Sequence, residues 1–163
     1  MNILSPPAEV VFGKWNDRLL KESEAIKLSK EMQRTKFAPF ARGNLLPLII
    51  SKEQVGESCL QKAPNVENAP IFELTEQATS SGMKLFFAGG RHRKRATEIL
   101  QANSLKQITD LEERITQLKE SSKKVPESKL RHLEALLEEE KAVSERIGIW
   151  GIIVYDEGEE SSL

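Results

Sequence analysis

The 163-residue chain is short of several residue types, and each shortage excludes a class of protein. Its single cysteine, Cys59, excludes an internal disulfide framework and favours a reducing compartment. No apolar run approaches the ~20 residues that a membrane-spanning helix needs. Residues 1–7 lack the basic and apolar regions of a signal peptide. We therefore expect a cytoplasmic or nuclear protein without a membrane partner.

An excess of charge of one sign is also lacking. The 24 basic and 25 acidic residues give a net charge of −1, so any affinity for anions must be local. His92 and His132 lie far apart and Cys59 has no partner cysteine, so the spacing predicts no metal site. The apolar content of 39% and the chain length are enough for one domain with a core, which we expect to span 1–163.

Short apolar runs predict the strands of an α+β domain. They cover residues 9–12, 45–50, 83–88 and 149–155. The second run contains Pro47, which favours an edge strand or a strand that begins at the proline. The last run is predicted to be a buried strand, and the stretch 53–70 is predicted to be a long loop.

Helical periodicity appears in two parts of the chain. Ser23 is predicted to cap a first helix that carries Ala25, Leu28 and Met32 on one face. A second helix is predicted from about Arg91 to Ala102.

Residues 104–146 are predicted to form an antiparallel helical hairpin inserted into the domain, because two apolar stripes flank a short loop. The stripes consist of Leu105, Ile108, Leu111, Ile115 and Leu118, and of Leu130, Leu133, Leu137 and Val143. Pro126 suits the first turn of the second helix. The hairpin can pack on its own domain, dock a protein partner or form a homodimer. A flexible acidic tail is expected at 156–163.

The segment from Met83 to Thr97 is the most informative part of the chain. An apolar strand leads into Gly89 and Gly90, and the basic run 91–95 then begins a helix. Glycine lets the backbone approach a ligand closely, and a helix N-terminus presents free N–H groups and a favourable dipole to anions. The pattern therefore predicts a phosphate-binding loop.

The same segment resembles the second conserved box of ParB-like domains, usually Gly-Glu-Arg-Arg-x-Arg-Ala. The matching residues are Gly90, Arg91, His92, Arg93, Lys94, Arg95 and Ala96. It is also similar to the sulfiredoxin signature Phe-Gly-Gly-Cys-His-Arg. Arg18-Leu19-Leu20 resembles the Arg-Pro-Leu that precedes the first helix of sulfiredoxins, and 46–50 resembles the proline-led strand of both families. The resemblance covers about residues 8–103 and 147–156.

The resemblance implies a ParB/sulfiredoxin-like fold that holds a nucleoside triphosphate, ATP or CTP, with or without Mg²⁺. Gly89 and Gly90 would shape the loop, and the backbone from Arg91 to Arg93 would hold phosphate. His92 and Arg93 would contact phosphate oxygens, and Arg18 would approach the same pocket. A nucleotide hydrolase or a phosphotransferase is the implied activity, with Glu22, Glu24 and Glu31 as candidate bases.

Arg91 departs from both families. It stands where sulfiredoxins have the reactive cysteine and where ParB-like domains have a glutamate, and a guanidinium replaces neither. The chain is thus predicted to bind a phosphate group without a known catalytic residue, so catalysis is left open. A protein that acts through its hairpin and a nucleic-acid-binding protein that uses 91–95 are the alternatives. His92 can instead bond to the backbone, and the spacing of Arg93 and Arg95 lets only one of them face the loop.

Overall fold

The computed structural model describes residues 1–13, 18–35, 38–61, 68–121 and 126–157. Their strands, β1 (Glu9–Phe12), β2 (Leu46–Ile49), β3 (Lys84–Phe87) and β4 (Ile152–Tyr155), form one sheet in the order β1-β3-β2-β4. The helices are α1 (Glu22–Arg34), α2 (Glu76–Ser80), α3 (Arg91–Glu120) and α4 (Glu127–Arg146). The predicted α+β class is confirmed.

One face of the sheet carries the core. The pairing aligns Phe12, Phe87, Leu48 and Val154 in a row across the four strands. Phe87 and Leu48 are buried, whereas the alternate residue Phe86 is 43% exposed on the other face. Met32 of α1 and Ala96 of α3 belong to the same buried cluster. The period of two along each strand thus directs one set of side chains toward the two helices.

Pro47 does not lie in an edge strand, because β2 lies between β3 and the edge strand β4, but β2 begins at Leu46, one residue before the proline, close to the other predicted alternative. β1 pairs with β3 in parallel, β2 pairs with β3 in antiparallel fashion, and β2 pairs with β4 in parallel. The ring nitrogen of Pro47 faces the β3 side, where its carbonyl accepts the N–H of Ala88 at 3.0 Å. Proline cannot return the second bond of that pair, so the β2–β3 ladder ends there. The backbone after Ala88 is thereby released toward the glycine turn.

Ser23 does not cap α1, contrary to prediction. The helix begins one residue earlier, at Glu22, and the Lys21 carbonyl accepts the N–H groups of Glu24 and Ala25 at 3.0 and 3.1 Å. Ser23 therefore lies inside the first turn. The start of α1 contacts α3, through Lys21 and Glu22.

The helix that follows the glycine turn does not end near Ala102, because α3 runs unbroken through 30 residues to Glu120. The outer part of α3 packs against α4, as the hairpin predicted at 104–146 requires. The prediction of its apolar stripes is partly wrong, since Leu105 is 51% exposed and Val143 is 46% exposed. Buried Ser104 instead occupies the seam and donates to Glu140 at 2.5 Å.

The last strand is an edge strand with half-buried side chains rather than a buried one. Trp150, just before it, is 2% exposed, and its carbonyl accepts the N-terminal ammonium of Met1 at 2.9 Å. Within the predicted loop 53–70, a short 3-10 helix spans Glu57–Leu60. Residues 62–67 of that loop and 158–163 of the predicted tail lie outside the described residues.

Candidate phosphate-binding cleft

The six residues predicted to bind phosphate all line one cleft of about 630 Å³ at the start of α3. They are Arg18, Gly89, Gly90, Arg91, His92 and Arg93. Five further residues of the described ranges also line it, namely Glu24, Leu28, Gly43, Leu45 and Pro47. Residues that are far apart in the sequence therefore meet at one place, between α1, the beginning of β2 and the first turn of α3.

Gly90 shapes the floor of the cleft. Its φ of 103° lies in the left-handed region, and a Cβ at this position would lie 2.6 Å from Leu46 Cδ2. Glycine is thus required both by backbone conformation and by space. Lys94 makes the first intrahelical bond, its N–H donating to the Gly90 carbonyl at 2.8 Å. The N–H groups of Arg91, His92 and Arg93 precede that ladder and lie at the positive end of the helix dipole.

Arg91, which replaces the reactive residues of both resembled families, lies over an aromatic ring. Its guanidinium carbon is 5.7 Å from the centroid of the Phe12 ring. A cation above the negative face of an aromatic ring is attracted by the ring quadrupole. The contact ties the first residue of α3 to the end of β1 and keeps the charge at the wall of the cleft.

His92 bonds to the backbone, which was one of its two predicted roles. Its Nε2 accepts the N–H of Lys21 at 3.1 Å, and Glu24 Oε2 lies 3.5 Å from the same nitrogen. As the acceptor of this hydrogen bond, Nε2 uses its ring lone pair. The start of α1 is thereby attached to the first turn of α3, which accounts for a helix start that Ser23 does not cap.

The guanidinium of Arg93 donates to a run of backbone carbonyls. Its Nη1 lies 3.2 Å from Asn44 O and 3.4 Å from Leu45 O, and its Nη2 lies 3.4 Å from Gly43 O. Burial lowers the pKa of Arg93, although an arginine remains charged at neutral pH. These carbonyls already engage the planar fork of the guanidinium. The predicted contact of Arg93 with phosphate stays a prediction.

Arg95 does not line the cleft, as expected if only one of Arg93 and Arg95 faces the loop. Its guanidinium binds Glu22 of α1 at 2.7 Å and Glu98 at 3.0 Å. The hydrogen bonds that Arg95 donates to these carboxylates raise its own pKa, and the bond to Glu22 lowers the pKa of that carboxyl. This ion pair is a second link between α1 and α3.

Glu24 is the candidate base that the structure places in the cleft. The other two candidates are engaged elsewhere, since Glu22 pairs with Arg95 and Glu31 pairs with Arg34 at 2.7 Å. Spacing along α1 did not distinguish the three glutamates. Glu22 and Glu24 meet side chains of α3, whereas Glu31 pairs within α1, and the first of these contacts cannot be read from the pattern of one helix.

Gly43 and Leu45 were missed as lining residues. They belong to the 3-10 turn Arg42–Asn44 and the residue after it, immediately before β2. The available signal was Gly43 within a short polar segment ahead of the proline-led strand, which is typical of a turn. Nothing in the sequence indicated that this turn would lie beside α3.

No protein-family model, curated protein or solved structure matches this chain. The ParB/sulfiredoxin-like relationship therefore rests on the quoted motifs. Within the described ranges, no group of three or more histidine, cysteine, aspartate or glutamate side chains could hold a metal ion. The helices of those ranges also include none with the length and apolar composition that crossing a membrane demands.

Proposed function

We propose that the cleft binds the phosphates of a nucleotide, a nucleoside triphosphate such as ATP or CTP. The observation that carries the proposal is the meeting of Arg18 and Arg91 with the Gly90 turn at one helix N-terminus. Free N–H groups, a helix dipole and two guanidinium groups all favour the same kind of ligand, a multiply charged anion. A volume of about 630 Å³ is also large enough for more than a single phosphate group.

The composition of the cleft favours an ester over a bare anion. Leu28, Leu45 and Pro47 line the cleft together with the charged residues of α3. Ligand sites commonly combine a few polar groups that orient the ligand with apolar walls that bury the rest. The charged residues suit phosphates and the apolar residues suit a nucleoside or another apolar group.

The intramolecular pairing of the basic run disfavours the nucleic-acid alternative. Lys94 pairs with Glu98 at 2.5 Å, and Arg95 pairs with Glu22 and Glu98. Binding to a nucleic-acid backbone depends on cations that are free to replace counterions. A run in which Lys94 and Arg95 are offset within the protein is better suited to a small ligand held at the start of the helix.

Phosphoryl transfer or hydrolysis in this cleft would require a group that accepts a proton. Glu24 is the carboxylate in position, beside His92 and within the same cleft. A general base has to come within hydrogen-bond reach of the proton it removes. The proposal therefore extends from binding to a hydrolase or a phosphotransferase only if a nucleotide places its reacting oxygen near Glu24.

Replacing Arg18 with alanine should weaken nucleotide binding about tenfold to a hundredfold, because a charge-assisted hydrogen bond contributes roughly 1.5–3 kcal/mol. The measurement is calorimetric titration with ATP, ADP, CTP and GTP, with and without Mg²⁺. Arg34→Ala is the matched control, since Arg34 lies at the far end of α1 and pairs with Glu31. Absence of binding heat for every nucleotide, from a folded wild-type sample, would overturn the proposal.

Glu24→Gln should have the opposite effect in the absence of Mg²⁺. The carboxylate repels a bound phosphate, and removal of the charge with little change of shape should tighten ATP binding about threefold to tenfold. The titration is run with a chelator so that no cation bridges Glu24 and the phosphates. Weaker binding of ATP by Glu24→Gln under these conditions would place the phosphates elsewhere.

The hairpin supports a second candidate function, the binding of a protein partner or a second copy of the chain. Much of its apolar seam is only half buried, including Ile108, Leu111, Leu118, Leu130 and Leu137. A seam that a partner completes would bury these side chains further. Sedimentation velocity measures the oligomeric state, and a monomer that captures no partner would contradict this function.

A further inference from the structure

The first turn of α3 attaches three separate segments to one another. Arg91 lies over Phe12 at the end of β1, His92 accepts the N–H of Lys21 ahead of α1, and Arg93 donates to the turn ahead of β2. These three consecutive residues therefore fix the start of α3 against β1, α1 and the turn ahead of β2. A basic run whose charges favour an anionic ligand is thus in large part used to assemble the site.

Arg93 differs from its neighbours because its partners are uncharged and belong to the cleft wall. The carbonyls of Gly43, Asn44 and Leu45 converge on one guanidinium, which has several donors in a rigid plane. Three contacts to the wall leave at most two of its five N–H donors for a phosphate, unless the phosphate displaces a bond to this backbone. Carbonyls left without donors in such a place are costly.

The held segment forms one side of the cleft. Gly43 and Leu45 both line the cleft, and Leu46 directly after them is buried beneath Gly90. Asn44 adds a bond of its own, its side-chain amide donating to Ala38 O at 3.0 Å. The turn is thus fixed on one side by local bonds and on the other by Arg93.

We propose that Arg93 is a positioning residue that holds the 43–45 segment as the wall for the non-phosphate part of the ligand. The phosphates are then bound by the start of α3 together with Arg18 and Arg91. This inference rests on the proposed function. It attributes the selectivity of the cleft for a nucleotide over a bare polyphosphate to Arg93, which contacts neither ligand. A direct phosphate ligand would act on both kinds of anion alike.

The test compares ATP with inorganic tripolyphosphate as calorimetric probes of the wild type and of Arg93→Lys. Lysine keeps the charge but cannot span three carbonyls. We expect ATP to bind the variant about tenfold more weakly, while the affinity for tripolyphosphate changes by less than about twofold. Amide hydrogen exchange at residues 43–45 should become faster in the unliganded variant, since the turn loses its anchor.

Arg93→Ala repeats the comparison without the charge, and Arg95→Ala serves as the control for loss of a nearby cation outside the cleft. Equal weakening of ATP and tripolyphosphate in Arg93→Lys would make Arg93 a direct ligand and overturn the inference, while the proposed function would stand. Unchanged affinity for both probes would equally overturn it. Failure of the wild type to bind either probe would overturn the proposed function and the inference together.

Discussion

Replacing Gly90 with alanine is expected to lower the free energy of unfolding by about 2–4 kcal/mol and to abolish phosphate binding. The left-handed backbone at φ 103° costs an L-residue roughly 1–2 kcal/mol. The new methyl group would also lie 2.6 Å from Leu46 Cδ2. Since Leu46 is 2% exposed and packed in the core, it has little room to move. Chemical denaturation and titration with ATP measure the two effects on the same samples.

Gly82→Ala is the matched control for this substitution. Gly82 also has a positive φ, 65°, but an added Cβ would find nothing within 4 Å. It lies in the turn before β3, away from the cleft, so we expect a cost of roughly 1–2 kcal/mol and unchanged ATP affinity. If the two variants were destabilised equally, the close approach of Gly90 to Leu46 would not contribute. If Gly90→Ala bound ATP as the wild type does, the cleft would not depend on the glycine turn.

Local sequence patterns are sufficient to predict elements that pack one face against the core. The first strand was predicted at 9–12 and β1 has these bounds, and Val10 and Phe12 pack against the core. The helix face of Ala25, Leu28 and Met32 is likewise turned toward the core, with Ala25 and Met32 buried. The spacing of apolar residues reflects which side chains are buried, so it predicts an element correctly where burial determines the structure.

Elements that depend on distant partners could not be predicted in the same way. Ser23 is a good capping residue, but the contacts of α3 with Lys21 and Glu22 start α1 one residue before it. Pro47 suits an edge, yet its missing donor falls where β3 ends, so a central position costs little. In both cases the deciding atoms lie some forty or more residues away in the chain.

The cleft shows the same division. The glycine turn and the basic run identified the start of α3, because the five lining residues 89–93 are consecutive. The use of Arg93 to bind carbonyls, and the selection of Glu24 from three similar glutamates, required the packing of α1 and of the 42–44 turn against that helix. The sequence motif therefore located the site, whereas the role of each residue within the site followed only from the tertiary structure.

Leu133→Asp is expected to unfold the hairpin locally, at a cost of about 3–5 kcal/mol, and to leave the cleft intact. Leu133 is 6% exposed and Ile115 of the facing helix is 7% exposed, so these are well-buried apolar residues of the seam. An unpaired carboxylate there loses its hydration without gaining a partner. Amide hydrogen exchange should show lost protection across the outer parts of α3 and α4, with protection retained in the sheet.

Leu136→Asp makes the same chemical change three residues further along α4, where the side chain is 38% exposed. A change at such a position usually alters stability by less than about 0.5 kcal/mol.

The pair of variants separates the two candidate functions, because the cleft lies at the opposite end of α3 from the hairpin loop. ATP affinity that survives in Leu133→Asp, with any self-association lost, would assign binding of nucleotide to the first turn of α3 and assembly to the hairpin. ATP affinity that falls in Leu133→Asp but not in Leu136→Asp would mean that the 30-residue helix transmits the state of the hairpin to the cleft. Because α3 is one continuous helix, a partner bound at the hairpin could then regulate the ligand site.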